Sequence, residues 1–557
     1  MSNRVDIHPS SWALVDGLGR RAGMQPEVGP LRKGKFVGCF YWTWHNLFAY
    51  ESPRNITKIM ERHPEARNDF NHPAWEGTPN WTPFHWDEPL LGYYNSSDDF
   101  VMRKHAELLG DAGVDVIIFD CSNGALVFQN EYENVFRVFS KAKEDGVCVP
   151  QIMFLLNFFD MDQAREQLLN IYENLYKTGR YKDLWFLWDG KPLVMVSPSA
   201  LRAEDRMLLD FFTFRVNVPT YFDADYAFDQ KSWGWCSVYP QTRFGVREDG
   251  SVEQMCVSCA QNANEYGLCA MNDYRGGVFG RGYAKGNDAS PEDPAAYLHG
   301  LNFQQQWDYA IANDPDFIFL TGWNEYVVQR LTEWYATPNG CSDNFNAAYS
   351  RDIEPSAGIL KDHFYCQLVE NIRRYKGADA PSVNGEYFHY TGSTQARNCD
   401  GYKGVHFTEN TMRNDIVWTK VECGDTYVHF TVEALNDLSP CTDAAWMRLL
   451  IDTGDVPNWE GFSLIVNRVA PDNGACVVER SLGGWIFERV GLAPMEVTGK
   501  ILRISIPRSV LGTTTFNFKW ADNTRAPGAI DDSGDILDFY RYGDVAPGGR
   551  FCFAFGQ

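Results

Sequence analysis

The stretch FIFLTGWNEYVVQR, residues 317–330, runs from an unbroken apolar segment straight into Trp323, Asn324, Glu325 and Tyr326. Continuous apolarity predicts a strand buried on both faces, as in a parallel sheet, rather than the alternation of a half-solvated one. A carboxylate at the end of such a strand is costly unless it is paired, hydrogen-bonded or used. Other runs share this character: KFVGCFYWTWH (35–45), VDVIIFDCSN (114–123), VPQIMFLLNF (149–158), KPLVMVSP (191–198), FRVNVPTYF (214–222), WGWCSVYP (233–240) and GLCAMNDY (267–274). Amphipathic helical patterns lie between them. DDFVMRKHAELLGDAG puts Val101, Leu108, Leu109 and Ala112 on one face, and GILKDHFYCQLVENIRRYKG ends the series with a glycine stop. Eight buried strands alternating with helices predict an α/β fold, a (β/α)₈ TIM barrel, over residues 1–376. Only the connection between strands five and six is short. The connection 46–97 is long and rich in Trp and Pro, which marks it as functional rather than disordered.

The pattern changes after residue 376. Residues 377–384 read as a linker, and helical periodicity stops. Short alternating strands follow, among them DIVWTKVEC, YVHFTVEAL, WMRLLIDT, FSLIVNRV, ILRISIPRSV and TFNFKWADN. Separated by Gly, Asp and Pro turns, they predict an all-β sandwich over 385–557.

Composition narrows the function. A formal charge of −23 repels phosphate backbones and anionic membranes, so neither nucleic acid nor membrane is an expected partner. Aromatics make up 15% of the chain, with 18 Trp. Trp and Tyr combine a broad apolar face with a polar edge, which matches the C–H faces and hydroxyl rims of sugars, although a large aromatic core uses the same residues. Cys256 and Cys259, in CVSC, have CxxC spacing on a predicted helix without a second pair, which reads as ordinary buried thiols. The start MSNRVDIHPSSW has no apolar leader pattern, so the expected location is cytoplasmic, or secreted or periplasmic if a leader has been removed. Nothing in the sequence sets an oligomeric state.

In such a barrel the site lies at the C-terminal ends of the strands. Strand one delivers Trp42, Trp44 and His45; strand two, Asp120; strand three, Asn157; strand five, Tyr221, Asp223 and Asp225. Strand six delivers Tyr239 and strand seven Asn272, Asp273, Tyr274 and Arg275; strand eight adds Trp323, Asn324, Glu325 and Tyr326, and the long loop adds Trp86. Acetal hydrolysis needs a proton donor and a second group to activate or supply the nucleophile, commonly two carboxylates. Glu325 is the first candidate, Asp120 the second and Asp273 the third. Each has a structural alternative: Glu325 in an ion pair, Asp120 capping a turn, Asp273 holding Arg275. Trp75, Trp81 and Trp86 read either as a sugar platform or as the core of their loop. Metal-dependent hydrolysis would need a His-x-His near strand one and more His at later strand ends. WTWH offers one, so no metal or other cofactor is expected at the site.

Four segments resemble the glycoside hydrolase family 99-like (WbsX-like) barrels: FVGCFYWTWH, GYYNSSDDFVMRKHAELLGDAGVDVIIFD, GWNEY and RDIEPSAGILKDHFYCQLVENIRRYKG, spanning about residues 30 to 376. The resemblance implies a TIM barrel acting on glycans. In endo-α-mannosidases of that family strand eight carries Asn-Glu-Trp-His-Glu, whose two glutamates work as a pair. Glu325 matches the first, and Val328 stands where the second would be. A hydrolase would then draw its second carboxylate from Asp120 or Asp273, with Glu333 as a further option. The tail, through NDIVWTKVEC, WMRLLIDTGDVPNWEGFSLIVNR and FKWADN, resembles carbohydrate-binding module family 9. That implies sugar platforms among Trp446, Trp459, Trp485 and Trp520, and calcium at Asp452 and Asp455. The expected function is a glycoside hydrolase cleaving an oligo- or polysaccharide. The alternatives are a non-catalytic glycan-binding protein on the same barrel, a polysaccharide lyase served by Arg275, and a sandwich that only scaffolds the barrel.

Overall fold

The computed structural model describes residues 7–45, 53–218, 221–222, 229, 231–287, 290–392, 413–526, 529–530 and 532–556. Asp223 and Asp225 lie outside the described residues. Eight strands form the parallel sheet: β1 Phe36–Tyr41, β2 Val116–Cys121, β3 Gln151–Leu156, β4 Lys191–Met195, β5 Thr213–Val218, β6 Ser232–Gly234, β7 Gln254–Ser258 and β8 Phe317–Thr321. They run in the order β6-β5-β4-β3-β2-β1-β8-β7, every pairing parallel, which is the sequential order of a TIM barrel. Strand β2 is buried at every position, as its unbroken apolar run requires. Gly38 in β1 leaves room for its neighbour, because a Cβ there would stand 2.4 Å from the Phe317 ring.

The seventh strand differs from expectation. It is Gln254–Ser258, fully buried, and CVSC runs off its end rather than lying on a helix. Residues 267–274 hold only the two-residue pairing of Gly267–Leu268 with Ala263–Asn264. Strand β7 is short and begins on a polar residue, so it lacks the signature of an apolar run. That polar residue closes the ring. The Gln254 carboxamide donates from Nε2 to Gly234 O at 3.0 Å and accepts Gly234 N–H at Oε1, also 3.0 Å. A carboxamide offers the same donor and acceptor as a peptide group, so the side chain takes the place of a ladder between β6 and β7.

Helices cover the outside. The helix Asp99–Ala112 starts on an Asp98 side-chain cap and stops at Gly113, whose φ is +83°. It buries Val101, Leu109 and Ala112, and the helix His363–Lys376 packs beside it. No helix among the described residues is long and apolar enough to cross a membrane.

The C-terminal strands form an antiparallel sheet that folds over on itself. Strand Ile486–Thr498 is the fold line: its first part pairs with Ala475–Gly483 and its last residues with Ile501–Pro507. Strand Tyr427–Ala434 alternates strictly, sending Val428, Phe430, Val432 and Ala434 inward. Trp520 Nε1 donates to Thr419 Oγ1 across the layers at 2.9 Å. This sandwich is bonded to the barrel: Arg550 Nε and Tyr540 OH both reach Asp362 Oδ2, at 2.5 and 2.9 Å, in front of the helix His363–Lys376.

Replacing Gln254 with Leu leaves a buried N–H and a buried C=O of Gly234 without partners. Each costs about 1–3 kcal/mol. Urea unfolding followed by tryptophan fluorescence is expected to show the barrel transition destabilised by about 2–5 kcal/mol. An unchanged midpoint would mean that packing alone closes the ring.

Candidate active site

Strand β8 ends at Thr321, and the residues after it are fixed by two neighbours. Asn324 clamps the end of β1: Trp42 N–H donates to Asn324 Oδ1 at 2.8 Å, and Asn324 Nδ2 donates to Trp42 O at 3.0 Å. The same amide stands 3.2 Å from His45 Nε2 and 3.1 Å from Tyr94 OH. Tyr94 in turn donates to Glu354 Oε2 at 2.8 Å, and Glu354 Oε1 is 2.9 Å from His105 Nε2. On the other side, Glu325 N–H donates to Asp352 Oδ1 at 2.7 Å and Asn344 Nδ2 donates to Glu325 O at 2.8 Å. The Glu325 backbone is therefore held from both directions, and its side chain is aimed by the fold.

That side chain is mostly buried but keeps 17% of its surface exposed, so it reaches solvent at the barrel mouth. Its carboxylate stands 3.2 Å from Arg351 Nη2. Arg351, 2% exposed, also pairs with Asp343 Oδ1 at 3.1 Å and lies over the Trp235 ring at 5.0 Å. Burial pushes the Glu325 carboxyl well above the usual carboxylate range; Arg351 pulls it back, and Asp343, Asp352 and Asp120 push it up again. Asp120, at the end of β2, is raised by burial, drawn back by hydrogen bonds from Ser122 and Trp44, and raised by Asp343. Asp352 is pushed up to about 6 by burial, against the Glu325 N–H and the charges of Arg351 and Arg281. Asp343 is held by Ser342 Oγ at 3.0 Å and Asn262 Nδ2 at 3.3 Å, with 35% of its side chain exposed. Tyr221 lies within the field of Arg351 and Asp343. The arrangement gathers the carboxyl groups of Glu325, Asp343, Asp120 and Asp352 about the Arg351 guanidinium, with the Glu325 carboxyl raised by burial.

The other residues singled out in the sequence take different places. Asp273 is engaged by Arg275 at 2.6 and 3.1 Å and by Asn264 at 3.2 Å, on the connection after β7 rather than at a strand end. Tyr274 beside it is exposed. Asn157 accepts the N–H groups of Phe159 and Asp160 and so shapes the turn before the helix Met161–Ile171, which Asp160 caps. Tyr239 packs on Tyr309 of the helix Leu301–Asn313. Trp86 is stacked on Tyr326 at 4.5 Å, and both are core, with Tyr326 OH donating to Glu354 O. Trp323 is fully buried against His105 and Tyr365. Trp44 stacks on Phe128 near Asp120, and Trp42 packs on Trp44 and His45. Burial, with His105 and His85 nearby, drives the His45 imidazole well below its ordinary value. Of the loop tryptophans, Trp75 is core and Trp81 is exposed. Val328 is buried and lies opposite Phe84 in the pairing of Val327–Gln329 with Pro83–His85, while Glu333 is exposed on a hairpin. In the sandwich Trp446, Trp459 and Trp520 are buried and Trp485 is half-buried. Asp452 accepts Gly454 N–H and Asp455 pairs with Arg480.

Asp343, Asn344, Arg351 and Asp352 were not picked out from the sequence. They lie beyond β8 in a segment without regular structure, where strand-end logic does not look. The available signal was RDIEP, a charged cluster at the start of one of the segments that carry the family resemblance.

No family model and no curated protein matches the sequence. Among solved structures, the chain is similar to the GH99 endo-alpha-mannosidase from Bacteroides thetaiotaomicron, in one structure in complex with BIS-TRIS-propane and in another described by the enzyme alone. Each is 13% identical, with a TM-score of 0.33, over 61% of this chain and 97% of that one. An overlap this loose sets no correspondence between residues.

A buried acid with a raised value binds its proton more tightly folded than unfolded. Its contribution to stability is complete below the unfolded value, near 4, and is lost as pH rises through the folded one. For Asp352, at about 6, the loss above neutral pH is about 3 kcal/mol. Asp352→Asn keeps an oxygen for the Glu325 N–H. It is expected to match the wild type near pH 4 and to exceed its stability by about 2–3 kcal/mol above pH 7 in thermal melts. Parallel curves would place the ionised form of Asp352 at no disadvantage.

Proposed function

We propose that the protein is a glycoside hydrolase that cleaves a neutral oligo- or polysaccharide, with Glu325 as its proton donor. The observation that carries this reading is the Glu325 carboxyl itself. Burial raises it well above the usual carboxylate range, its side chain keeps 17% exposure, and Asp120 and Asp343 lie within its field. In the reaction Glu325 gives its proton to the glycosidic oxygen as the bond to the anomeric carbon breaks. A carboxylate across the site, Asp120 or Asp343, activates water or attacks that carbon. Trp44, between Phe128 and Asp120, supplies an aromatic wall. The sandwich serves as a carbohydrate-binding module through its partly exposed Trp485, with calcium at Asp452 and Asp455 as part of that proposal.

Charge argues against a lyase acting on uronates, which needs cations to neutralise the substrate carboxylate. Arg351 is already shared by two carboxylates and Arg275 is engaged by Asp273. The non-catalytic binding reading draws support from Val328, a buried apolar residue where the resembling family has its second glutamate.

A panel of aryl glycosides and neutral oligosaccharides tests the proposal, using proteins matched for folded stability. Glu325→Gln is expected to lower kcat by about 10²-fold or more and to abolish the alkaline limb of the pH–rate profile. Whichever of Asp120→Asn and Asp343→Asn falls with it is the partner, while Asp273→Asn stays near the wild type. Full activity in Glu325→Gln would remove the residue from the mechanism. Binding of a glycan without turnover, dependent on Trp44, would establish the non-catalytic reading.

A further inference from the structure

The long connection between β1 and β2 holds a cluster that the glycan chemistry does not use. His63 closes the helix Ile56–Arg62, Glu65 lies in the following turn Pro64–Asn68, and His72 precedes the turn Pro73–Trp75. Their ligand atoms converge. His63 Nδ1 is 3.2 Å from Glu65 Oε1, His72 Nε2 is 3.4 Å from the same oxygen, and the three atoms lie within 4.8 Å of one another. Zinc holds nitrogen and oxygen ligands at about 2.0–2.1 Å, so two ligands of a tetrahedral ion stand about 3.3–3.4 Å apart. Two edges of the triangle already have about that length. No other three His, Cys, Asp or Glu side chains converge in this way among the described residues.

The backbone that carries the cluster is fixed. Trp75 is fully buried, and its Nε1 donates to Ala66 O at 3.2 Å and Asp69 O at 2.9 Å, which ties the chain after Glu65 to the turn after His72. Arg330 reaches up from the connection after β8 and donates to Phe70 O at 3.1 Å and Thr78 O at 2.7 Å. Asn68 Nδ2 donates to Asn272 O and Pro338 O, so the loop rests on the connections that follow β7 and β8. The side chains themselves are accessible: His63 is 47%, Glu65 58% and His72 20% exposed. An ion can therefore enter from solvent, while Ala66 and Trp75 anchor the segment from the buried side.

We propose that His63, Glu65 and His72 form a site for a divalent transition metal of the zinc class. It has three protein ligands and a fourth position open to solvent, and it staples the loop over the barrel mouth. Histidine nitrogen with a single carboxylate oxygen suits zinc and its neighbours rather than magnesium or calcium, which take mostly oxygen ligands. Binding requires both imidazoles neutral, each with its remaining proton on the nitrogen away from the ion. For His72 that nitrogen is Nδ1, so the 3.2 Å contact from Ala74 N–H opens when the ion binds.

The test uses the full chain, stripped with chelator and titrated calorimetrically with zinc chloride. One equivalent is expected to bind saturably. His63→Ala, His72→Ala and Glu65→Ala are each expected to weaken it by more than the about 10–100-fold that losing an outer-shell partner costs. His429→Ala, in the sandwich, should leave it unchanged. Proteolysis between residues 53 and 82 should slow with zinc in the wild type, and should not slow with magnesium or in His63→Ala. Absence of saturable binding, or equal binding by the His63→Ala/His72→Ala double variant, would overturn the site. Binding without protection of the loop would overturn the staple. Neither result depends on whether the barrel hydrolyses glycans.

Discussion

One guanidinium organises the carboxyl groups at the barrel mouth. Glu325, Asp343, Asp120 and Asp352 sit within one another's fields, and Arg351 is the cation placed between Glu325 and Asp343. Burial opposes the Arg351 charge, and Asp343 and Glu325 more than restore it. Removing one partner from such a group leaves uncompensated buried charge, which costs more than the pair contributes. Arg351 is held by backbone as well. Its N–H donates to Asn344 Oδ1 at 2.8 Å, and its carbonyl accepts Gly322 N–H at 3.1 Å. Ile353 N–H returns to Gly322 O at 3.1 Å, so the segment runs alongside the end of β8 like an added strand. The acid and its cation are thus positioned by the same few peptide groups.

That segment is anchored at its far end by the sandwich. After Arg351 and Asp352 the chain supplies Glu354, buried between Tyr94 and His105, and then Asp362, which accepts from Tyr540 and Arg550. Arg550 is also bonded to Glu460 at 2.8 Å. A rigid site needs supporting contacts behind its reacting groups. Here the support extends through one stretch of irregular chain from the barrel mouth to the second domain. The sandwich contributes to the order of the site, whatever it binds.

The barrel was legible because buried parallel strands leave unbroken apolar runs. Strands β1 to β4 and β8 follow that rule; β5 interleaves Arg215 and Asn217, β6 is three residues long, and β7 begins on Gln254, whose side chain stands in for a ladder. Glu325 was legible for the opposite reason: a carboxylate at the end of an apolar strand stands out. Asp120 was visible on the same ground. Asp273 was visible too, with an ion pair to Arg275 as its structural alternative, and the structure pairs the two. Arg351 and Asp343 were hidden because they reach the mouth from outside the strand framework, through loop geometry that no periodicity encodes. Trp86, Trp323 and Tyr326 show the limit of reading aromatics: the same rings fill cores and line sugar sites, and only burial separates the two.

The apolar residue at position 328 follows from how the long loop is attached. Val327–Gln329 pairs antiparallel with Pro83–His85, placing Val328 against Phe84, and Arg330 then packs 4.0 Å from the centre of the Phe70 ring while bonding Phe70 and Thr78. A carboxylate at 328 would lie in that seam, fully buried, and an isolated buried carboxylate is expelled or neutralised. The seam that docks the loop on the connection after β8 therefore excludes a second glutamate one helical turn's distance from Glu325 in sequence. Asp120, from the end of β2, and Asp343, from the same irregular segment that carries Arg351, are carboxylates whose fields do reach Glu325.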